Sequence, residues 1–459
     1  MIIGEGAVLD VSGHSPLEIT IDGNVTNSGT MDFTIYDNDG EADDIVTIAG
    51  DYRASPGALI VLNVEPEKDK ADKLVVQGDV IGNTNVFLKS NSEKEPTAEI
   101  LFAEVANDDE ATASSFDIWR VEGSPFAWDT KKEDGKWYTY IDGLPAEPEP
   151  ETPVDTSGIR KLAAEMIAYM GLYDAGFEQT AGLSRNAINN TVEAKYGKHA
   201  WVTPIHQNLV IDAPYKYEAK ISGLDAGIDI NSDGINKWGV LASYRKGNYE
   251  FDGRGDKYYS DKGSEIDIDS YAMGLYFRRD KYNSKFAGTI YAGMQKAEIS
   301  SDDGAKAKTD ALEIGASLDV SHIFEVAKDI TITPELQISY QMLDYDNIKD
   351  NAGKKVQLEA AHRITAEAGA KLEKKWTLDE GKAAIYVKPS VIQTIHGGGK
   401  LNVKALDSIH TTEDRTLGRF EIGAEYEVNT RWSVGASAAH TFGSDYKDTT
   451  FSLDAKYRF

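Results

Sequence analysis

Residues 449–459, TTFSLDAKYRF, alternate in character: Phe451, Leu453, Ala455, Tyr457 and Phe459 share one parity, and Ser452, Asp454, Lys456 and Arg458 share the other. Period two is the mark of a strand with one apolar and one polar face. The same series recurs upstream as Trp432, Val434, Ala436, Ala438 and Phe442, and as Phe420, Ile422, Ala424, Tyr426 and Val428. It recurs again as Ile330, Ile332, Leu336, Ile338, Tyr340 and Met342, and as Tyr271, Met273, Leu275 and Phe277. About twelve such segments fall after residue 198, mostly ten or more residues long, with turn-rich joints such as NSDGIN and SSDDGAKAKTD between them. Soluble strands average only about 5–6 residues. The pattern predicts an all-β domain, a roughly 12-stranded transmembrane antiparallel barrel with lipid outside and a polar lumen. Leu336, Ile338, Tyr340, Phe420 and Ile422 are the expected lipid-facing residues.

A large soluble β-sandwich or lipocalin-like barrel would alternate as well. Three features favour the membrane: the final residue is an aromatic, Trp and Tyr gather near strand ends, and Arg278, Lys371, Glu421, Glu425 and Glu427 hold the polar parity.

Ahead of the barrel, PAEPEPETPVDTSG (residues 145–158) alternates proline with glutamate, an extended, self-repelling linker that cannot enter a helix or a sheet interior. Asp155, Thr156 or Ser157 could cap the helix that follows, where Ile159, Leu162, Met166, Ile167, Met170 and Tyr173 recur at helical spacing. Gly171 and Gly176 offer stops for it.

Residues 1–144 read differently. Short β-rich stretches such as LEITIDGNVTNSGTMDFTIY, DIVTIAGDY and ALIVLNV are punctuated by Gly, Asn and Asp about every ten residues, which suits the coils of a parallel β-helix. No strict repeat is visible. The expected stem core includes Leu59, Val61, Leu74 and Val76, and an aromatic-rich segment with Trp119, Trp128 and Trp137 could cover the open end of the helix.

Composition sharpens this division. The 459 residues carry a net charge of −28, and residues 1–156 hold 33 acids against 10 bases, so that −23 of it lies in the first third. That balance disfavours nucleic acid as a partner. There are no cysteines, which removes disulfides, thiolate metal sites and cysteine nucleophiles and suits a chain that crosses a compartment unfolded. A mean hydropathy of −0.42 does not oppose a barrel, which turns only alternate residues to lipid. The opening MIIGEGAVLDVSG has neither a basic region nor a long apolar core, so the expectation is a cytosolic protein or a piece of a longer chain.

No catalytic constellation stands out: the eight histidines are scattered, and no phosphate loop, dinucleotide fingerprint or nucleophile elbow occurs. No cofactor and no metal are expected. The acidic YDNDGEADD (residues 36–44) lacks the glycine position of an EF-hand loop and reads as a solvated turn.

Taken together, the helix before the barrel, GKHAWV opening the first strand, GLDAGIDI in the second, ITPELQISY in the seventh and the closing YRF resemble the translocator domain of single-chain autotransporters of Gram-negative outer membranes. The run IAGDYRASPGALIVLNVEPEKDKADKLVVQGDVIGNTNVFLKS resembles the end of an autotransporter passenger, the autochaperone region. The resemblance implies a barrel-assembly signal in Ser452, Tyr457 and Phe459, although Asp454 stands where the family's pattern has glycine. It also raises passenger release at an Asn-Asn pair. Asn189 and Asn190 lie in the corresponding region without that motif around them, and an inert polar turn is the preferred reading.

The implied organisation is a passenger stem over 1–144, a linker and pore-threading helix over 145–180, and a barrel over 181–459. The implied function is export and display of the chain's own passenger, with outer-membrane lipid, the barrel-assembly machinery and periplasmic chaperones as partners and a monomer as the working form. A passive porin-like channel and a soluble β-rich scaffold are the alternatives.

Overall fold

The computed structural model describes residues 1–13, 16–36, 41–90, 95–107, 114–141, 161–213, 215–253, 260–378, 381–403, 406, 408–412 and 414–459. The Pro/Glu linker, with Asp155, Thr156 and Ser157, and the middle of the acidic 36–44 stretch lie outside the described residues.

Long alternating strands with a buried polar face and an exposed apolar face can satisfy every backbone group only by closing on themselves. The chain does this with twelve antiparallel strands: β1 His199–Ile211, β2 Tyr217–Ser232, β3 Asn236–Phe251, β4 Ser264–Lys281, β5 Ser284–Ser301, β6 Lys306–His322, β7 Ile330–Tyr345, β8 Ala361–Thr377, β9 Lys382–Val403, β10 Thr416–Glu427, β11 Trp432–Phe442 and β12 Tyr446–Arg458. Closure comes from β12 pairing with β1, in a register that sets Tyr457 opposite Ala200 and Phe451 opposite His206. The apolar row of the last strand therefore faces outward and the polar row inward: Phe451 and Leu453 are exposed while Lys456 is buried. Connections at one end are tight, as at Tyr282–Asn283, where both residues adopt positive φ between β4 and β5. Connections at the other end are longer and carry short strands of their own, Ile348–Lys349 and Lys355–Leu358 between β7 and β8.

The lumen is filled by the only long helical segment among the described residues. Helix α1 (Ala164–Thr180) is buried at every residue except Asp174, and after a left-handed turn at Gly182 a second helix, α2 (Leu183–Asn190), continues toward the tight-turn end. The expected stops at Gly171 and Gly176 are not stops. The helix runs through both because neither position has room for a side chain: a Cβ on Gly171 would meet Phe251 at 2.3 Å, and one on Gly176 would meet the Tyr345 hydroxyl at 2.4 Å. Close approach to the barrel wall, rather than helix termination, explains these two glycines. Nor is the helix capped by a polar side chain, since Ala163 precedes its first turn.

The N-terminal stem is a parallel β-helix. Successive coils stack strands Glu18–Ile21, Ile45–Ile48, Lys73–Val76 and Ile100–Val105 on one face. Glu18 lies beside Ile45 and Ile45 beside Lys73, so a coil takes 27 and then 28 residues. Its core includes Val46, Ile48, Tyr52, Leu74, Val76 and Val86. Leu74 and Val76 are fully enclosed, but Leu59 is only half-buried, and the core side of its strand is Ile60, Leu62 and Val64. Val61 is buried outside that cluster, at 4% exposure. The last coil is closed by the antiparallel pair Trp128–Glu133 and Lys136–Ile141, with Trp137 packed edge-on to Phe116 at 5.3 Å.

Candidate functional site

The lumen and its helix form the site with the densest unusual chemistry in the molecule. Its half toward the long loops is lined by apolar and tyrosine side chains, among them Tyr217, Phe251, Ile266, Leu343 and Tyr345, and these pack against Met166, Ile167, Met170 and Phe177 of α1. Its half toward the tight turns is lined by charges around α2. Ion pairs there join Lys388 with Glu335 at 2.5 Å, Lys285 with Asp319 at 2.8 Å, Arg419 with Glu421 at 3.2 Å and Arg185 of α2 with Glu367 at 2.5 Å.

The wall grips the helix most firmly where α1 ends. A helix C-terminus leaves carbonyls without intrahelical partners, and two buried arginines supply the missing donors. Arg245 of β3 donates to the carbonyls of Gln179 at 3.2 Å and Ala181 at 3.0 Å, and it is itself paired with Asp225 of β2 at 2.8 Å. Arg363 of β8 donates to the carbonyl of Phe177 at 2.7 Å and pairs with Glu178 at 2.7 Å. Cations also suit the negative end of a helix dipole. Gln179 answers the wall in turn, donating to the backbone of β3 and β4 and accepting from the Tyr249 hydroxyl at 2.8 Å. Glu313 accepts from Thr180, and Asp174 from Arg415 at 2.8 Å. Beside this collar lies a cavity of roughly 120 Å³ whose lining includes Glu178, Arg363, Glu367, Arg415, Arg419 and Asp448.

Below the collar, α2 is tied into the seam of the barrel. Asn190 donates to Thr203 of β1 at 2.9 Å, and Thr203 donates to Asp454 of β12 at 2.7 Å. Asp454, which departs from the glycine of the family pattern, thus links the two closing strands and the helix. Asn186 donates to Asp225 at 2.9 Å, so the seam and the collar share one network. Of the Asn pair, Asn189 is exposed to the lumen and Asn190 is buried with its amide engaged twice. The chain leaves the lumen at the tight-turn end, where the backbone N–H of Ala194 donates to Asp280 at 2.8 Å.

The outward surface separates cleanly from this interior. Leu336, Ile338, Phe420 and Ile422 are exposed on the outside, whereas Gln337 and Glu421 between them are buried inside. Tyr340 shares the outward parity and accepts or donates a 2.9 Å hydrogen bond with His362. At the tight-turn rim Tyr457 packs on Trp432 at 4.8 Å and on Phe459 at 6.4 Å, and in the middle of β12 Ser452 shares a 2.7 Å hydrogen bond with Ser437. No helix among the described residues is long and apolar enough to cross a membrane. No group of three metal-ligating side chains occurs among the described residues.

The sequence reading missed Arg245, Asp225, Gln179, Glu313 and Arg363. Arg245, Glu313 and Arg363 carry charge at the polar parity of mid-strand, the signal that could have found them; Gln179, inside a helix expected to end at Gly176, had none.

Residues 200–439, more than half of the chain, match the family model described as the autotransporter beta-domain. The probable autotransporter YfaL of Escherichia coli (strain K12) is 24% identical over 93% of this chain, and the chain spans 36% of that protein's length. The translocator domain of autotransporter NalP from Neisseria meningitidis aligns at a TM-score of 0.51 with 14% identity, over 64% of this chain and 97% of NalP's domain. The transport unit of autotransporter AIDA-I from Escherichia coli aligns at 0.48 with 15% identity, over 64% of this chain and 98% of that unit. The chain belongs to the autotransporter family, and its barrel is a type V secretion translocator of the Gram-negative outer membrane.

Proposed function

We propose that this chain exports and displays a passenger continuous with its own N-terminus, and that the stem aids the folding of that passenger. The observation that carries the reading is the path of the polypeptide. It runs from the stem at the long-loop end, through the lumen as α1 and α2, to the tight-turn end where β1 begins. A barrel whose own chain threads it has its N-terminal region on the opposite side of the membrane from the start of its first strand.

In this reading residues 1–144 are the surface stem, residues 145–180 begin the threaded segment, and residues 181–459 are the translocator with the end of the thread. Lipid covers the outward row that includes Leu336, Ile338, Tyr340, Phe420 and Ile422. The terminal strand, through Ser452, Tyr457 and Phe459, is the signal read by the barrel-assembly machinery after periplasmic chaperones have kept the chain unfolded. Folding of the β-helix outside supplies the free energy that draws the passenger out, with Leu74 and Val76 in the core that forms first. The translocator works as a monomer without nucleic acid. Asn189 and Asn190 are a polar helix end in which no cleavage occurs.

The porin alternative calls for an open lumen, and α1 fills this one. The test is to fuse a signal peptide and an epitope to residue 1 and assay intact cells. Antibody should bind the epitope from outside, and retention of the epitope in the periplasm beside a folded barrel overturns the reading.

A further inference from the structure

The face on which the stem meets the barrel does more than seat the stem. At the long-loop end, stem residues 125–127 and residues 161–163, which lead directly into α1, form a short antiparallel pair. The N–H of Ala127 donates to the carbonyl of Lys161 at 2.8 Å, and that of Ala163 to the carbonyl of Pro125 at 3.0 Å. The other side of the stem face rests on the β7–β8 loop. Arg120 donates to Asn351 at 3.0 Å, the N–H of Gly123 donates to the carbonyl of Ala352 at 3.0 Å, and Trp119 lies against Gly304 of the β5–β6 loop.

The β7–β8 loop is also where the helix is held. Lys354 pairs with Glu165 in the first turn of α1, with both side chains buried, and the Tyr169 hydroxyl donates to Asp350 at 3.2 Å. Stem, helix and loop thus share one buried junction. Among the described residues the β7–β8 loop and the helix contribute two carboxylates, Asp350 and Glu165, and a lysine, Lys354, and Asp303 of the β5–β6 loop adds negative charge near Glu165. The stem brings a cation, Arg120, itself only 8% exposed, and a carboxylate, Glu122, whose side chain lies against Gly353 of the loop. A buried carboxylate stripped of a compensating cation is costly. Among the described residues of this junction, two buried atoms have no hydrogen-bond partner, Nη2 of Arg120 on the stem and Oε2 of Glu165 on the helix. They are opposite in charge.

We propose that the docked stem is the lock of the plugged pore: its residues Trp119–Ala127 hold the start of the plug helix and the β7–β8 loop together, and lifting the stem frees the helix and opens the lumen to ions. The coupling is reciprocal, since whatever loosens the helix from the loop also weakens the seat of the stem.

The test records ion conductance of the full chain in planar bilayers. Wild type should be closed for nearly all of the record, and Arg120→Lys, which keeps the cation, should resemble it. Arg120→Glu should raise the open fraction by about tenfold or more, and Arg120→Glu combined with Phe126→Asp further still, with the barrel shown to be folded by its shifted gel migration before and after boiling. Lys354→Met approaches the same junction from the barrel side and should open the pore without touching the stem. A record as quiet as wild type from the folded double variant, or from folded Lys354→Met should the double variant not fold, overturns the proposal.

Discussion

The guanidinium of Arg245 stands 2.8 Å from the carboxylate of Asp225, and neither side chain has any solvent exposure. The pair joins neighbouring strands, yet the arginine's remaining hydrogen bonds go to the end of the helix, at Gln179 and Ala181. A buried ion pair contributes little net stability by itself, but removing one partner leaves a bare charge behind. Arg245→Ala should therefore cost about 3–5 kcal/mol. Because the lost contacts include helix carbonyls, the damage should appear as protease sensitivity of residues 164–190 as well as a lower melting point. The double variant Arg245→Ala/Asp225→Asn should lose less than the two single losses added together.

Charge placed on the two faces of one strand should act in opposite ways. Leu336→Arg and Ile338→Arg set a cation on the exposed outer row and should each cost roughly 2–4 kcal/mol at the bilayer midplane. Gln337→Arg points into the lumen among Glu335, Glu367 and Lys388 and should be mild. Urea titration of the refolded protein in lipid vesicles measures all three, and equal losses would mean that the outer row does not face lipid.

Gly176→Leu should loosen the plug without harming the barrel. A Cβ at this position already meets the Tyr345 hydroxyl at 2.4 Å and a Leu343 methyl at 2.8 Å, so a larger side chain has nowhere to go. Met170→Leu, a swap of similar volume on the same helix, should be tolerated. The comparison is read as ion leak in bilayers, with the strand signal in circular dichroism unchanged.

Leu74→Asp strands a charge in the enclosed core of the stem. The barrel should still assemble and shift on gels after boiling, while display of the passenger falls and the displayed chain becomes protease-sensitive. Normal display from a stem shown to be unfolded would reduce residues 1–144 to a spacer.

Much of this molecule is legible from residue pattern, and the failures are instructive. The parity of TTFSLDAKYRF fixes which face of β12 is apolar, and closure against β1 explains what that parity is for. The coil length of the stem was also present in the sequence. ITIDGNV, VTIAGDY and LVVQGDV recur at residues 19–25, 46–52 and 74–80, each with a glycine and then Asn24, Asp51 or Asp79 at the same corner. The structure shows why: Asn24 accepts from the N–H of Asp51 at 2.9 Å, and Asp51 from that of Asp79 at 3.2 Å, a polar ladder up the turns. Coils of unequal length hid that repeat.

Strand Leu59–Glu65 misled for another reason. Its outer row, including Asn63 and Glu65, is buried as well, so alternation carries no sign of which side is core. The glycines of α1 misled because local propensity speaks for termination while their partners, Phe251 and Tyr345, lie about 80 and 169 residues away in sequence. Contacts of that range leave no local trace.

The central claim is that the chain passes through its own barrel, with the stem outside the cell and the tight turns in the periplasm. The absence of native cysteine allows a direct measurement. Single variants Asp22→Cys in the stem, Asp445→Cys in a long-end loop and Thr430→Cys in a tight turn, all at exposed positions, are treated in intact cells with a membrane-impermeant maleimide. Asp22→Cys and Asp445→Cys should label at once, and Thr430→Cys only after the outer membrane is permeabilised. Labelling of Thr430→Cys in intact cells, or protection of Asp22→Cys beside a folded barrel, would contradict the account.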